Sequence, residues 1–387
     1  MRKSLRILAA GLIVLAGAAA VFVVYFLNID NKYAADRDFI AYWSAGHLLV
    51  RGQNPYDFQA VKALQVAAGR HPADPVFMMR NPPDALFLTL PLGFAGPRMT
   101  LILWLFLMVG LLLVASFVIW RLNGSPDSLL HLLGFAFAPV LINLMNGQVG
   151  IVLLLGVVLF LYLCRDRPFL AGASLLFCAI KPHLFGPLGA VLLLSCAVSK
   201  KSRLIVAGSL VTMAAGCAVA YALDPHAWSQ YAQMMRASSA LNEPIPALSP
   251  TLRLLIAPRA IWLQFVPEAA ACLWAAWYYW SRRTSWEWMD HGLIVLLVGV
   301  MCAPYAWFFD EALVLPAVLA GIYQVTAARR AVWPIAVFAG AALAELMLSV
   351  PINTRFYLWT TPVWLGWYLY ATGRLAGLVR RPAAFAA

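Results

Sequence analysis

Long apolar runs separated by short polar breaks fill the chain from end to end. They fall at 7–27, 99–120, 129–145, 149–164, 168–180, 184–198, 204–223, 260–280, 291–308, 311–327, 332–350 and 356–378. Most approach the ~20 apolar residues that carry a helix across a bilayer. The pattern therefore predicts an all-α polytopic membrane protein of about twelve transmembrane segments. Neither half repeats the loop lengths or motifs of the other, so residues 1–387 read as one integral-membrane domain. Two long connections, 28–98 and 224–259, fall on the same side when the segments alternate. The opposite connections are all short, so the mass available for building a site lies with the two long loops.

Two of the runs, 168–180 and 184–198, are short and are joined by Lys181-Pro182-His183. Thirteen helical residues cover only ~20 Å of a ~30 Å core. The hairpin tip is thus expected at depth in a cavity lined by protein, where irregular backbone is tolerated. The competing reading is a single tilted helix. At the N-terminus, the 7–27 run is longer than the ~7–15 apolar residues of a signal peptide, which favours an uncleaved first span.

Composition agrees: 63% of the 387 residues are hydrophobic and 11% are charged, against about 25% charged in soluble domains. The net charge of +12 is distributed as a topology signal. With the N-terminus inside, short inner segments collect sixteen basic residues, among them Arg121, Lys200, Lys201, Arg329 and Arg330. Short outer connections hold five: Lys181, Arg236, Arg253, Arg259 and Arg355. The positive-inside rule then puts both termini in the cytoplasm, with the site on the outer, periplasmic side of the cell membrane. Seven further basic residues lie in loop 28–98, which is long enough to cross regardless of charge. Clustering between apolar runs argues for membrane lipids and against nucleic acid as the partner. The six cysteines sit in or beside apolar runs without CxxC spacing, which supports neither a zinc site nor a disulfide framework.

Candidate chemistry begins just after the first run, in DRDFIAYWSAGHLL (Asp36–Leu49). As a helix it sets Asp38, Tyr42 and Ala45 on one face and Phe39 and Trp43 on the next, with Gly52 as a stop. Such a helix is expected along the outer interface, holding a carboxylate where an acceptor hydroxyl reaches it. The plainer reading makes Asp36 a helix cap, gives Asp38 a role at the helix dipole, and assigns the aromatics to an interfacial belt. In RNPPDALFLTLPLG, Pro82-Pro83 blocks a helix and Asp84 is placed to cap the short run behind it.

Three outer cationic positions, Lys181, His183 and Arg253, suit a phosphate, although headgroup snorkelling explains them as well. In APYAWFFDEALVLP, Asp310 and Glu311 interrupt apolar sequence. They either use a helix dipole or hold sugar hydroxyls. No Walker A loop, GxGxxG after a strand, HExxH or nucleophile elbow is present. No nucleotide-binding domain is indicated, no cofactor or metal is called for, and an activated donor has to arrive through the membrane.

DFIAYWSAGHLLVRGQNPYD, the Asn81-Pro82-Pro83 turn, NGQVGIVLLLG with the Lys181-Pro182 hairpin, SPTLRLL and PYAWFFDEALVLP together resemble glycosyltransferase family 87. The resemblance runs from about Asp38 to Asp310. It implies a GT-C type bundle with interfacial helices in the first outer loop. It also implies a polyprenyl-phosphate sugar donor, a lipid or glycan acceptor, and inverting transfer with Asp38 as general base. Lys181, His183 and Arg253 would bind the donor phosphate, and Tyr42, Trp43, Asp310 and Glu311 the sugar or acceptor. His183 stands where the family often has Gln, and WFFDE replaces a Trp-Asp-His pattern, which leaves the sugar itself, mannose or another hexose, open. The rival classes are a transporter or flippase for lipid-linked sugars and a noncatalytic envelope scaffold.

Overall fold

A computed structural model of the chain describes residues 28–237, 245, 247–352 and 355–374. The predicted first span, 7–27, lies outside the described residues, as do Arg380 and Arg381. Every regular element among the described residues is helical. Three helices are long and apolar enough to cross a membrane: Pro97–Leu122, Lys200–Leu223 and Phe308–Ala327. The remaining predicted segments appear as shorter apolar helices, and prolines explain several of the breaks. The 129–145 run becomes a 3₁₀ turn, Leu130–Ala136, and a helix, Ala138–Asn146, with Phe137 extended between them. Pro139 lacks an N–H and cannot continue a helix from the preceding turn. The 291–308 run likewise yields Leu293–Cys302 and then an extended stretch at Ala303, next to Pro304.

The chain breaks between the two short runs, so the single tilted helix does not form. Helices Leu176–Ala179 and Gly186–Ser195 are separated by a 3₁₀ turn over Pro182–Leu184, after Lys181 in a non-helical conformation. The helix predicted in 36–49 forms over Phe39–Val50 and stops before Gly52, whose φ of 65° suits the left-handed turn. Its environment differs from the expectation of an interfacial belt. All of its residues except His47 and Val50 are buried, including Phe39, Tyr42 and Trp43. Gly46 explains how this happens: its Cα lies against the Thr89 carbonyl and Gly93, so close that a Cβ has no room. The short run 86–94 therefore covers the aromatic helix. Asp84 does not cap that run. It is buried in the 3₁₀ turn Pro83–Ala85, and Ala85 takes the cap position.

Small residues also join the apolar helices. Pro168–Ser174 packs closely on Lys200–Leu223, with Gly172 against the Ile205 carbonyl and Gly208 against the Phe169 carbonyl. Close backbone approach through small residues is how helices pack where lipid removes the hydrophobic drive. The three long helices share a polarity. Trp104 near the start of the first donates to the Gly147 carbonyl at 2.9 Å, Gly216 near the end of the second lies against Asp84, and Asp310 opens the third. Their opposite ends carry Arg121, then Lys200, Lys201 and Arg203, then Arg329 and Arg330.

Candidate active site

The elements gathered at that end enclose a cavity of about 840 Å³. Its wall is drawn from the start of the Phe39–Val50 helix, the stretch 75–82, the Asn146–Gln148 turn, the hairpin tip, helix Ala227–Ala237 and the segment 305–310. Asp38 sits in the first of these. It occupies the N-cap position of its helix but makes no capping bond. Its Oδ2 instead accepts a hydrogen bond from Gln148 Nε2 at 2.7 Å, while Gln148 Oε1 accepts from the Tyr42 hydroxyl at 2.7 Å. Asp36, the alternative cap, is engaged by Lys32 at 2.9 Å and lies 4.0 Å from Arg70. The carboxylate at position 38 is thus turned from its own helix into the cavity. Burial raises the Asp38 carboxyl above its ordinary pKa, opposed by the Gln148 hydrogen bond and by the charges of Lys181, Arg70 and Arg37.

Gln148 reaches this position through the Asn146-Gly147-Gln148 turn. Gly147 adopts φ 63°, ψ 33°, and the Gln148 N–H donates to the Asn143 carbonyl at 2.9 Å, which reverses the chain at the helix end. A Cβ at Gly147 would come within 2.7 Å of Phe39 Cβ, so glycine is required on both counts.

The second charged group is an ion pair. Lys181 Nζ donates to Asp310 Oδ1 at 2.6 Å, and both side chains are largely buried. Asp310 Oδ2 accepts from the Trp307 N–H at 3.0 Å, capping the 3₁₀ turn Phe308–Val314. The ammonium also stands 4.8 Å from the centre of the Phe309 ring. The hairpin tip is tied to the first loop by Asn81 Nδ2, which donates to the Ile180 carbonyl at 2.9 Å. His183 packs on Tyr305, with ring centroids 3.8 Å apart. Burial, with Lys181 adding to it, pushes its imidazole down to about 3, so it is neutral at working pH.

Of the candidate residues, Asp38, Tyr42, Lys181, His183 and Asp310 line the one cavity, and Trp43, Arg253 and Glu311 do not. Trp43 Nε1 donates to the Ala95 carbonyl at 2.9 Å. Arg253 is buried, with Nη1 on the Pro258 carbonyl at 3.3 Å. Glu311 points away from its neighbour Asp310, accepting from Thr360 Oγ1 at 2.6 Å and Trp364 Nε1 at 2.8 Å. Residues that sequence reasoning left out of the site are Gln148, Arg80, Tyr231, Tyr305 and Trp307. Alternation of aromatics at Tyr305, Trp307 and Phe309, along the non-helical 305–307 stretch and into the 3₁₀ turn Phe308–Val314, is the signal that could have found the last two.

The family model of glycosyltransferase family 87 matches residues 80–304, more than half of the chain. The chain belongs to glycosyltransferase family 87. It is accordingly a glycosyltransferase, and its apolar helices are those of a membrane protein. No curated protein matches the chain, and no solved structure does. Within the family 87 match lie Gln148, Lys181, His183 and Arg253. Asp38, Tyr42 and Asp310 fall outside it and are joined to it through the cavity.

Proposed function

We propose that this glycosyltransferase moves a hexose, mannose or a related sugar, from a polyprenyl-phosphate donor to a lipid or glycan acceptor, with inversion at the anomeric carbon. The observation that carries the reading is the shared cavity: one wall supplies a carboxylate free of capping duty, and another supplies an ammonium. The acceptor hydroxyl attacks C1 of the sugar while Asp38 takes its proton. The bond from C1 to the phosphate oxygen breaks, and its electron pair leaves on the polyprenyl phosphate. Lys181 meets that developing charge, exchanging part of its bond to Asp310 for the phosphate. His183, being neutral, contributes a hydrogen bond and no charge. Arg253 supports the second outer loop rather than the phosphate. Trp307 and Tyr305, which line the cavity, supply aromatic surface for the apolar side of the sugar.

The membrane arrangement belongs to the same proposal. A GT-C type bundle of about twelve segments, with both termini cytoplasmic, puts the cavity at the outer face. It is supported by the basic residues at the opposite ends of the three long helices. The test is transfer from a radiolabelled polyprenyl-phosphate sugar in proteoliposomes containing only this protein and an envelope lipid extract as acceptor. Asp38→Asn keeps the Gln148 contact through its side-chain oxygen and removes the base. Transfer is expected to fall to background while the variant elutes and melts like the parent, and full activity in it would rule Asp38 out.

A further inference from the structure

Gln148 is bonded at both ends of its amide within the cavity wall. Its amide has one acceptor oxygen and one donor nitrogen. The oxygen accepts from Tyr42 and the nitrogen donates to Asp38, each at 2.7 Å. A flipped amide would set its oxygen against the carboxylate with no hydrogen between them. The carboxylate only accepts, so it sets which way the amide faces; the Tyr42 hydroxyl, donating to the amide oxygen, then holds the amide in place against the carboxylate. Both supports are rigid: Gln148 and Tyr42 are buried, and the turn that presents Gln148 is closed by Gly147 and by Trp104 Nε1 on the Gly147 carbonyl. Asp38 itself stands at a helix start, where a side chain without a capping bond has several rotamers available.

We propose that Gln148, anchored by Tyr42, is the positioning residue that holds the Asp38 carboxylate ready to receive the acceptor's proton. The inference rests on Asp38 being the base. It reassigns Tyr42 from sugar contact to second support, and it gives the Asn146-Gly147-Gln148 turn a catalytic reason to be there. A donor bonded to a carboxylate stabilises the ionised form, so losing it makes the base harder to deprotonate. The other charged groups acting on Asp38 are Arg37 beside it, Arg70 after helix Phe58–Ala67 and Lys181 on the hairpin, while Asp310 lies close enough to influence Tyr42. None of these is changed by substituting Gln148.

The experiment measures initial transfer rates with donor varied, across a pH series, for the parent, Gln148→Met, Tyr42→Phe and Asp38→Asn, with melting and gel filtration as folding checks. Methionine keeps the length of the side chain and removes both hydrogen bonds. Its kcat is expected to drop about ten- to hundredfold with donor KM little changed, since a misdirected base loses rate rather than binding. The acidic limb of its rate profile is expected to move to higher pH. Tyr42→Phe deletes one oxygen and should shift both quantities the same way by less. If Gln148→Met does not fold, Tyr42→Phe decides by the same two readouts. A parental kcat and an unmoved limb in the folded variants would overturn the proposal while Asp38→Asn stays inactive. Activity in Asp38→Asn would instead remove the reading beneath it.

Discussion

Asp310 carries two bonds: one to the Trp307 backbone at the start of its turn, and one that the sequence showed no sign of, to Lys181, 129 residues away. The acid next to it, Glu311, shares neither, because successive residues in the 3₁₀ turn Phe308–Val314 point to different sides. Adjacent acids thus have unrelated duties. A buried carboxylate depends on its partner, and removing one member of such a pair typically costs about 3–5 kcal/mol. Lys181→Met should therefore lower the melting temperature in detergent clearly. Adding Asp310→Asn should return most of that loss, because asparagine keeps an oxygen for the Trp307 N–H and carries no charge to strand. If the double variant melts no higher than the single one, the pair does not govern stability at the hairpin tip. Legibility at this scale follows from range. Asp38 stood out because its carboxylate sits among aromatics beside an apolar run, and Lys181 because a charge at a short hairpin is costly. Gln148 was visible only as part of a motif, since its meaning lies in a contact across 110 residues.

Periodicity located the helices of the site well and judged their surroundings less well. The Phe39–Val50 helix was legible from its length and its Gly52 stop, yet its aromatics were expected in the headgroup layer and are buried under 86–94. An aromatic stripe looks the same whether lipid or protein covers it. What distinguishes the cases is Gly46, whose missing side chain lets the covering backbone touch the helix. The same logic applies where Pro168–Ser174 meets Lys200–Leu223. Gly208 has the Phe169 carbonyl and the Ala173 N–H where a Cβ would go, and neither backbone atom can swing aside. Gly208→Val is expected to push the helices apart and destabilise the protein by about 1–3 kcal/mol, the usual range for overpacking. Gly340→Val serves as the control, because a Cβ there meets nothing. Equal melting temperatures for the two variants would contradict close packing at Gly208.

Orientation is a property of the whole molecule and was read from charge alone. The structure adds that the cavity and the basic clusters occupy opposite ends of Pro97–Leu122, Lys200–Leu223 and Phe308–Ala327. Basic residues near the ends of spans stay in the cytoplasm, so a lipid-linked donor would meet Asp38 and Lys181 at the far leaflet. This arrangement has a direct check. Gln53 follows the Phe39–Val50 helix, whose first turn lines the cavity, and Arg330 follows Phe308–Ala327 at the end away from Asp310; both are exposed. In intact cells, Gln53→Cys should react with a membrane-impermeant maleimide above the background of the six native cysteines. Arg330→Cys should react only after the membrane is opened. Because the two positions flank the same architecture, a reversed pattern could not be attributed to misfolding of one variant. It would place the cavity in the cytoplasm, where the acceptor chemistry proposed for Asp38 would have to draw on a different pool of donors.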